Sequence, residues 1–193
     1  MKIVYHGSPG GDIEELTPRV STHQKKCIYA TDQKVVALLF MGKGNGDLDT
    51  RISSVDGKLE LVERREGVLK SLYNKSGYLY ELDGSTFSHY DYLWSREVVS
   101  FEPRIKPIRK IYYENILMEI EKEEKLGNII LYRYPVRPKD IPLDNSDLID
   151  KYICFEKEGL RGAIKDLLRI YPELALKVHE RLYYDNNSYK RRK

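Results

Sequence analysis

The sequence predicts an α+β fold: two small, mostly antiparallel sheets around a cleft, with helices gathered toward the C-terminal end. Three observations carry this expectation. Short β-type runs punctuated by turn residues occupy the chain as far as Tyr113. Asp56-Gly57 separates two such runs, and this pair favours the type I′ hairpin turn, where both central residues need positive φ. From Asn145 onward, apolar residues recur at helical spacing instead.

In chain order, Ile3–Tyr5 is a short strand that Gly7, Pro9, Gly10 and Gly11 end, which leaves His6 at a strand terminus. Cys27–Ala30 is a second strand. Thr31 and Asp32 offer N-caps for a helix carrying Val35, Val36, Leu39 and Phe40, and Gly42 offers its stop. Arg51–Val55 and Lys58–Val62 are the arms of the hairpin. Tyr78–Leu82, Glu97–Phe101 and Ile108–Tyr113 complete the strands of the first part. Asn115–Leu126 is helical and dense in Glu and Lys, and Ile129–Val136 returns to strand, bounded by Pro135 and Pro138. In the last part Leu160, Ala163, Ile164, Leu167, Leu168 and Tyr171 form one apolar stripe. Pro172 closes that helix and suits the first turn of the next, on which Leu174, Val178 and Leu182 recur. The change of character near residue 113 predicts an N-terminal domain over 1–113 and a mostly helical extension over 114–193.

With 193 residues, 41% of them apolar and 33% charged, the chain has material for one core and a soluble surface. A net charge of +3 gives no support of its own for nucleic-acid binding, so a nucleic-acid partner stays possible but unsupported by charge. The basic tail over residues 189–193 reads as a solvated terminus. Cys27 and Cys154 form neither a disulfide framework nor a metal spacing, which predicts a reducing compartment. No apolar run has the length of a signal sequence or a membrane span. The expectation is a cytoplasmic protein, or a toxin delivered without a secretory signal, with no membrane partner.

Several chemistries lack their motif. The glycines of Gly42-Lys-Gly-Asn-Gly-Asp47 follow a helix, and no Ser or Thr follows the lysine, so this is a loop and not a phosphate cradle. Asp47 and Asp49 do not continue into a calcium-loop spacing, and no His/Cys cluster predicts zinc; no metal is expected. No Gly-x-Ser-x-Gly elbow supports a serine hydrolase.

Three segments cohere instead. They are Tyr5-His6-Gly7-Ser8, then Ile28-Tyr29-Ala30-Thr31-Asp32 leading into the helix with Ala37, Leu38 and Phe40, then Ser95-Arg96-Glu97-Val98-Val99-Ser100-Phe101. In this order and spacing they resemble the diphtheria-toxin-like branch of the ADP-ribosyltransferase superfamily, which includes the poly-ADP-ribose polymerases. The resemblance covers roughly the first 113 residues. It implies an ADP-ribosyltransferase-like split β-sandwich, with NAD as co-substrate and His6, Tyr29 and Glu97 as the catalytic set. It further implies that Gly7 brings bare backbone to the nicotinamide carboxamide, that His6 bonds the adenine-side ribose and that Ser8 adds a polar contact. The implied activity is transfer of ADP-ribose to a macromolecular acceptor, protein or nucleic acid, with release of nicotinamide. Those residue types suit the chemistry. A carboxylate at Glu97 stabilises positive charge developing on the ribose, and an aromatic face at Tyr29 holds the planar, cationic nicotinamide.

Taken singly, each residue has a structural reading. His6 suits a capped surface histidine, Tyr29 a core residue among sixteen tyrosines, and Glu97 a solvated edge carboxylate. Glu81 and Glu102 are rival acids, but neither opens an apolar run. His23, His89 and His179 read as structural or surface, and Tyr112, Tyr113, Tyr183 and Tyr184 as packing. No acceptor-binding loop is recognisable, and Val62–Asn74 fits no part of the pattern. Two other functions on the same fold stay open: a non-catalytic nucleotide or ADP-ribose-binding module, and an RNA 2′-phosphotransferase-like enzyme, whose second histidine motif is not found.

Overall fold

A computed structural model describes residues 2–20, 25–55, 57–160 and 162–190, with side chains as far as residue 183. Asp56, His23, the side chain of Tyr184 and the end of the basic tail lie outside the described residues. The fold is mixed α and β. The strands are β1 (Ile3–Ser8), β2 (Arg19–Val20), β3 (Lys26–Thr31), β4 (Thr50–Val55), β5 (Lys58–Glu63), β6 (Gly77–Asp83), β7 (Glu97–Ser100), β8 (Arg109–Tyr113) and β9 (Ile129–Tyr132). The helices are α1 (Lys34–Leu39), α2 (Val68–Tyr73), α3 (Ile116–Lys125), α4 (Asp147–Lys157), α5 (Ala163–Ile170) and α6 (Pro172–Lys190). They fall into two compact units.

The first unit holds Met1–Gly44, Val55–Leu59 and Leu69–Ile130. Its sheet runs in the order β2-β3-β1-β6-β8, and β7 also pairs with β3. Its pairings are antiparallel. Side chains on a strand alternate between faces, and here one face is the core: Val4, Ile28, Ala30, Tyr80, Leu82 and Val98 pack together under Leu16 and Phe87. On the other face α1 lies against β1. All but the first residue of α1 are buried, so it is apolar all round.

The β1 strand extends beyond its expected end at Tyr5, so that His6 lies inside it and not at its terminus. Gly7 does not break the strand, because it stays in register opposite Leu79 of β6. A Cβ on Gly7 would stand 1.9 Å from the carbonyl oxygen of Ala37, so glycine is needed there for α1 to approach. Neither Thr31 nor Asp32 caps α1. The capping residue is Gln33, and buried Thr31 instead accepts the Gln33 amide through Oγ1 at 3.1 Å. Gly42 is not a left-handed stop; a Cβ there would meet the ring of Tyr73 at 2.4 Å.

Within the segment over 62–74, which fits no part of the resemblance, β5 runs on to Glu63 and a short helix, α2, follows at Val68–Tyr73. α3 belongs to this first unit and contacts α1. Asn115 is its N-cap, accepting the Met118 amide at 3.1 Å, and Lys34 pairs with buried Glu123 at 3.1 Å. The expected boundary at 113/114 therefore falls within a unit. A second sheet has three strands in the order β4-β5-β9, and Gly57 in the hairpin has φ of 79°.

The second unit holds Asn45–Ser54, Glu60–Val68 and Leu131–Lys193. Leu148, Ile149, Tyr152, Leu167, Tyr171, Leu174 and Val178 of its helices close over Leu48. The stripe is narrower than its sequence spacing implied: Leu160 is 40% and Leu168 52% exposed, because α5 begins only at Ala163 and buries Leu167. Arg64, 2% exposed, forks onto both carboxylate oxygens of Asp147 and reaches Asn145. The Gly-rich loop is tied down as structure. Asp49 accepts the Asn45 backbone and side-chain amides, each at 2.8 Å, and pairs with Arg65. Burial opposes its ionisation, but these bonds outweigh it and hold its carboxyl below the ordinary range.

Candidate functional site

His6, Tyr29 and Glu97, carried on β1, β3 and β7, line a single cavity of about 360 Å³ within the first unit. Tyr5, Gly7, Ala30 and Phe40 complete its wall. The convergence follows from how the strands pair. Tyr5 sits opposite Thr31, and Thr31 opposite Glu97, which places Glu97 and Tyr29 on the face that carries Tyr5. Alternation along β1 directs His6 to the other face. It still meets the others because, among the described residues, β1 and β3 are in register at the Tyr5–Thr31 pair, beside which the His6 side chain reaches β3. Its Nδ1–H donates to the Tyr29 carbonyl at 2.8 Å, a bond that cross-strand backbone would otherwise supply.

That bond fixes the histidine's chemistry. A carbonyl only accepts, so the proton is on Nδ1. Burial lowers the His6 pKa below its ordinary 6.5; the bond to Tyr29 works against the shift and the Arg19 charge adds to it. The neutral ring therefore keeps a lone pair on Nε2, which makes no hydrogen bond among the described residues. A half-buried neutral imidazole with a free acceptor suits a ligand hydroxyl better than an anionic group.

Tyr29 is half-buried, and its hydroxyl donates to the Lys25 carbonyl at 3.1 Å. Burial first, then a hydrogen bond with the Cys27 side chain, push its phenol well above the ordinary value, so it acts as a neutral ring and not as a phenolate. Cys27, Leu93 and Val99 pack against it. Glu97 opens β7, and its Oε2 accepts the Trp94 amide at 3.2 Å, while the Glu97 amide returns to the Trp94 carbonyl at 2.8 Å. This tight turn fixes the carboxylate at the cavity wall. The Trp94 indole stands edge-on to Phe40 at 6.4 Å between ring centroids.

Not every expected residue joins. Ser8 lines a neighbouring cavity of about 120 Å³, reached past His6, with Arg19, Leu16 and Cys27. Its Oγ is engaged in accepting the Gly10 amide at 3.1 Å. Gly7 does reach the main cavity, although its missing side chain is required by α1. Sequence reading missed Tyr5 and Trp94. Trp94 is the single tryptophan and lies three residues before Glu97, a spacing that signalled the turn. His89, read as structural or surface, donates from Nδ1 to the Glu97 carbonyl at 3.0 Å.

Among the described residues no group of three or more His, Cys, Asp or Glu is arranged to hold a metal ion, and no helix is long and apolar enough to cross a membrane. In comparisons with known proteins, no family model matches the chain, and no curated protein or solved structure matches it at a significant level.

Proposed function

We propose that this protein is an NAD-dependent ADP-ribosyltransferase, passing ADP-ribose to a macromolecular acceptor and releasing nicotinamide. The observation that carries the reading is the meeting of His6, Tyr29 and Glu97 in one cavity, although they stand on three strands far apart in sequence. The proposed fold is correspondingly the split β-sandwich of that superfamily.

The residues suit NAD. The cavity volume is in the range that small-molecule sites occupy. NAD supplies a glycosidic bond whose cleavage builds positive charge on the ribose. Glu97, held by the Trp94 amide, presents a carboxylate to that charge. Tyr29 gives the nicotinamide a neutral aromatic face. His6, neutral with Nε2 free to accept, takes a ribose hydroxyl. Gly7 adds backbone to the wall without a side chain. Placement of Glu97 on the cavity favours turnover over a non-catalytic binding module.

The test is incubation of the protein with adenylate-labelled NAD and cell lysate, followed by separation of macromolecules. Label on a macromolecule, lost with Glu97→Gln, supports the reading. Nicotinamide release without label transfer would make the protein a glycohydrolase, and the absence of both products would overturn the proposal.

A further inference from the structure

Beside the cavity, the segment between Ser88 and Trp94 carries a cluster of exposed rings. Tyr90 and Tyr92 stack at 5.6 Å with 23° between their planes, and Phe101 meets Tyr90 edge-on at 5.8 Å. They remain 39%, 39% and 55% exposed. Single exposed apolar residues need no explanation, but three aromatic rings in contact form a patch that does. The patch is held firmly. Ser88 and Val99 exchange backbone hydrogen bonds at 3.0 and 2.9 Å, the Leu93 amide bonds the Tyr90 carbonyl at 2.9 Å, and buried Leu93 packs with Val99 and Cys27. Its inner end reaches the cavity wall through Lys25. The Lys25 carbonyl takes the Tyr29 hydroxyl, while its ammonium stands 6.0 Å from the centre of the Tyr92 ring. Arg19, exposed, sits opposite Cys27 across the β2–β3 pair, on the face that carries Tyr29. Neither cation has an ion-pair partner among the described residues. Against them this loop sets one carboxylate, Asp91.

We propose that the ring series Tyr92–Tyr90–Phe101, with Lys25 above it, is the acceptor surface and that the acceptor is a single-stranded nucleic acid. The inference rests on the transferase reading for its chemistry, but not for its binding. A run of contiguous rings with Lys25 at its Tyr92 end, and Arg19 on the same face of the sheet, suits a strand that carries planar bases beside phosphates. Such stacking tolerates any base sequence. A duplex keeps its bases stacked on each other and offers none to the rings. In the transfer step the glycosidic bond to nicotinamide breaks with its electron pair leaving on nicotinamide. A nitrogen or oxygen of the strand supplies the pair for the new bond to the ribose, and the proton it carried passes to solvent.

Fluorescence polarisation with labelled 12-nucleotide single strands of DNA and of RNA, without NAD, tests the binding. At least one of them should bind about tenfold or more tightly than its duplex. Tyr90→Ala should weaken that binding about tenfold, the effect of losing one stacking ring, and Tyr90→Phe should restore it. Lys25→Gln should lower the slope of log affinity against log salt by about one. Tyr90→Ala should leave nicotinamide release in the absence of acceptor unchanged, which shows that the variant is folded. Equal binding by wild type and Tyr90→Ala, displacement of the strand by NAD, or lysate label found on protein and insensitive to nuclease would each overturn the inference. The two readings fail separately. Strand binding without NAD turnover would remove the transferase and keep the surface. Turnover without strand binding would do the reverse.

Discussion

At the scale of single residues, the site is built from side chains whose ionisation is set by what they touch. Glu97→Gln keeps the size of the side chain and its bond from Trp94 but removes the charge. Transfer should fall by about two to three powers of ten, as when one transition-state electrostatic partner is lost, with NAD affinity changed far less. Tyr29→Ala should do the opposite and mainly weaken NAD binding, because stacking also acts in the ground state. Rates and NAD titrations of the two variants check this, and equal turnover by wild type and Glu97→Gln would remove the catalytic assignment. His6 adds a pH dependence. Its pKa is lower folded than the ordinary 6.5. Between the folded value and 6.5 the unfolded chain therefore binds more protons. Stability is present in full above 6.5 and declines as pH falls below it. Thermal melts from pH 7.5 down to pH 5 should show a smaller decline for His6→Gln than for wild type.

At the scale of elements, close approach and capping decide which residues are tolerated. Gly7→Ala would place a methyl against the Ala37 carbonyl. The backbone of either β1 or α1 must then move, at a cost of about 1–3 kcal/mol. A lowered melting temperature and weakened NAD binding should appear together, since the same glycine lines the cavity. Asn115→Ala removes the N-cap of α3, with an expected loss of about 1 kcal/mol by denaturant titration. That variant should spare NAD binding, because α3 contributes nothing to the cavity wall. The hairpin arms, the α3 helix and the start of α6 at Pro172 were legible in the sequence, since each depends on residues within one turn of itself. The extension of β1 through Ser8 was not. A glycine that ends a strand and a glycine that admits a helix look the same in sequence, and only the presence of α1 separates them.

At the scale of the whole molecule, the two units rest on different interactions. The first closes over a sheet core of Val4, Ile28, Tyr80 and Leu82; the second closes helices over Leu48 and pairs buried Arg64 with half-buried Asp147. Arg64→Ala would take the guanidinium from half-buried Asp147 and leave Asn145 Oδ1 with Arg137 as its remaining donor, at a cost of about 1–3 kcal/mol. Arg64→Met paired with Asp147→Leu should recover part of it, because removing both charges also removes their desolvation. Denaturant midpoints of the two variants check the sign. The division at 113/114 failed at this scale because α3 has the composition of the helical part yet makes its contacts with α1.

What the sequence by itself determined were the short strands, the helical C-terminal part, the hairpin about Gly57, and the three segments that supply His6, Tyr29 and Glu97. All of these are written in periodicity and in neighbours a few residues apart. Tertiary structure alone decided that β1 pairs with β3 at Tyr5–Thr31 and that a histidine from one face lines a cavity with a carboxylate from the other. It also decided that Ser8 faces a separate cavity, that Trp94 fixes Glu97, and that Tyr90, Tyr92 and Phe101 gather at Lys25. Those outcomes depend on strand register, and register is set by which apolar faces are buried against one another across long sequence separations.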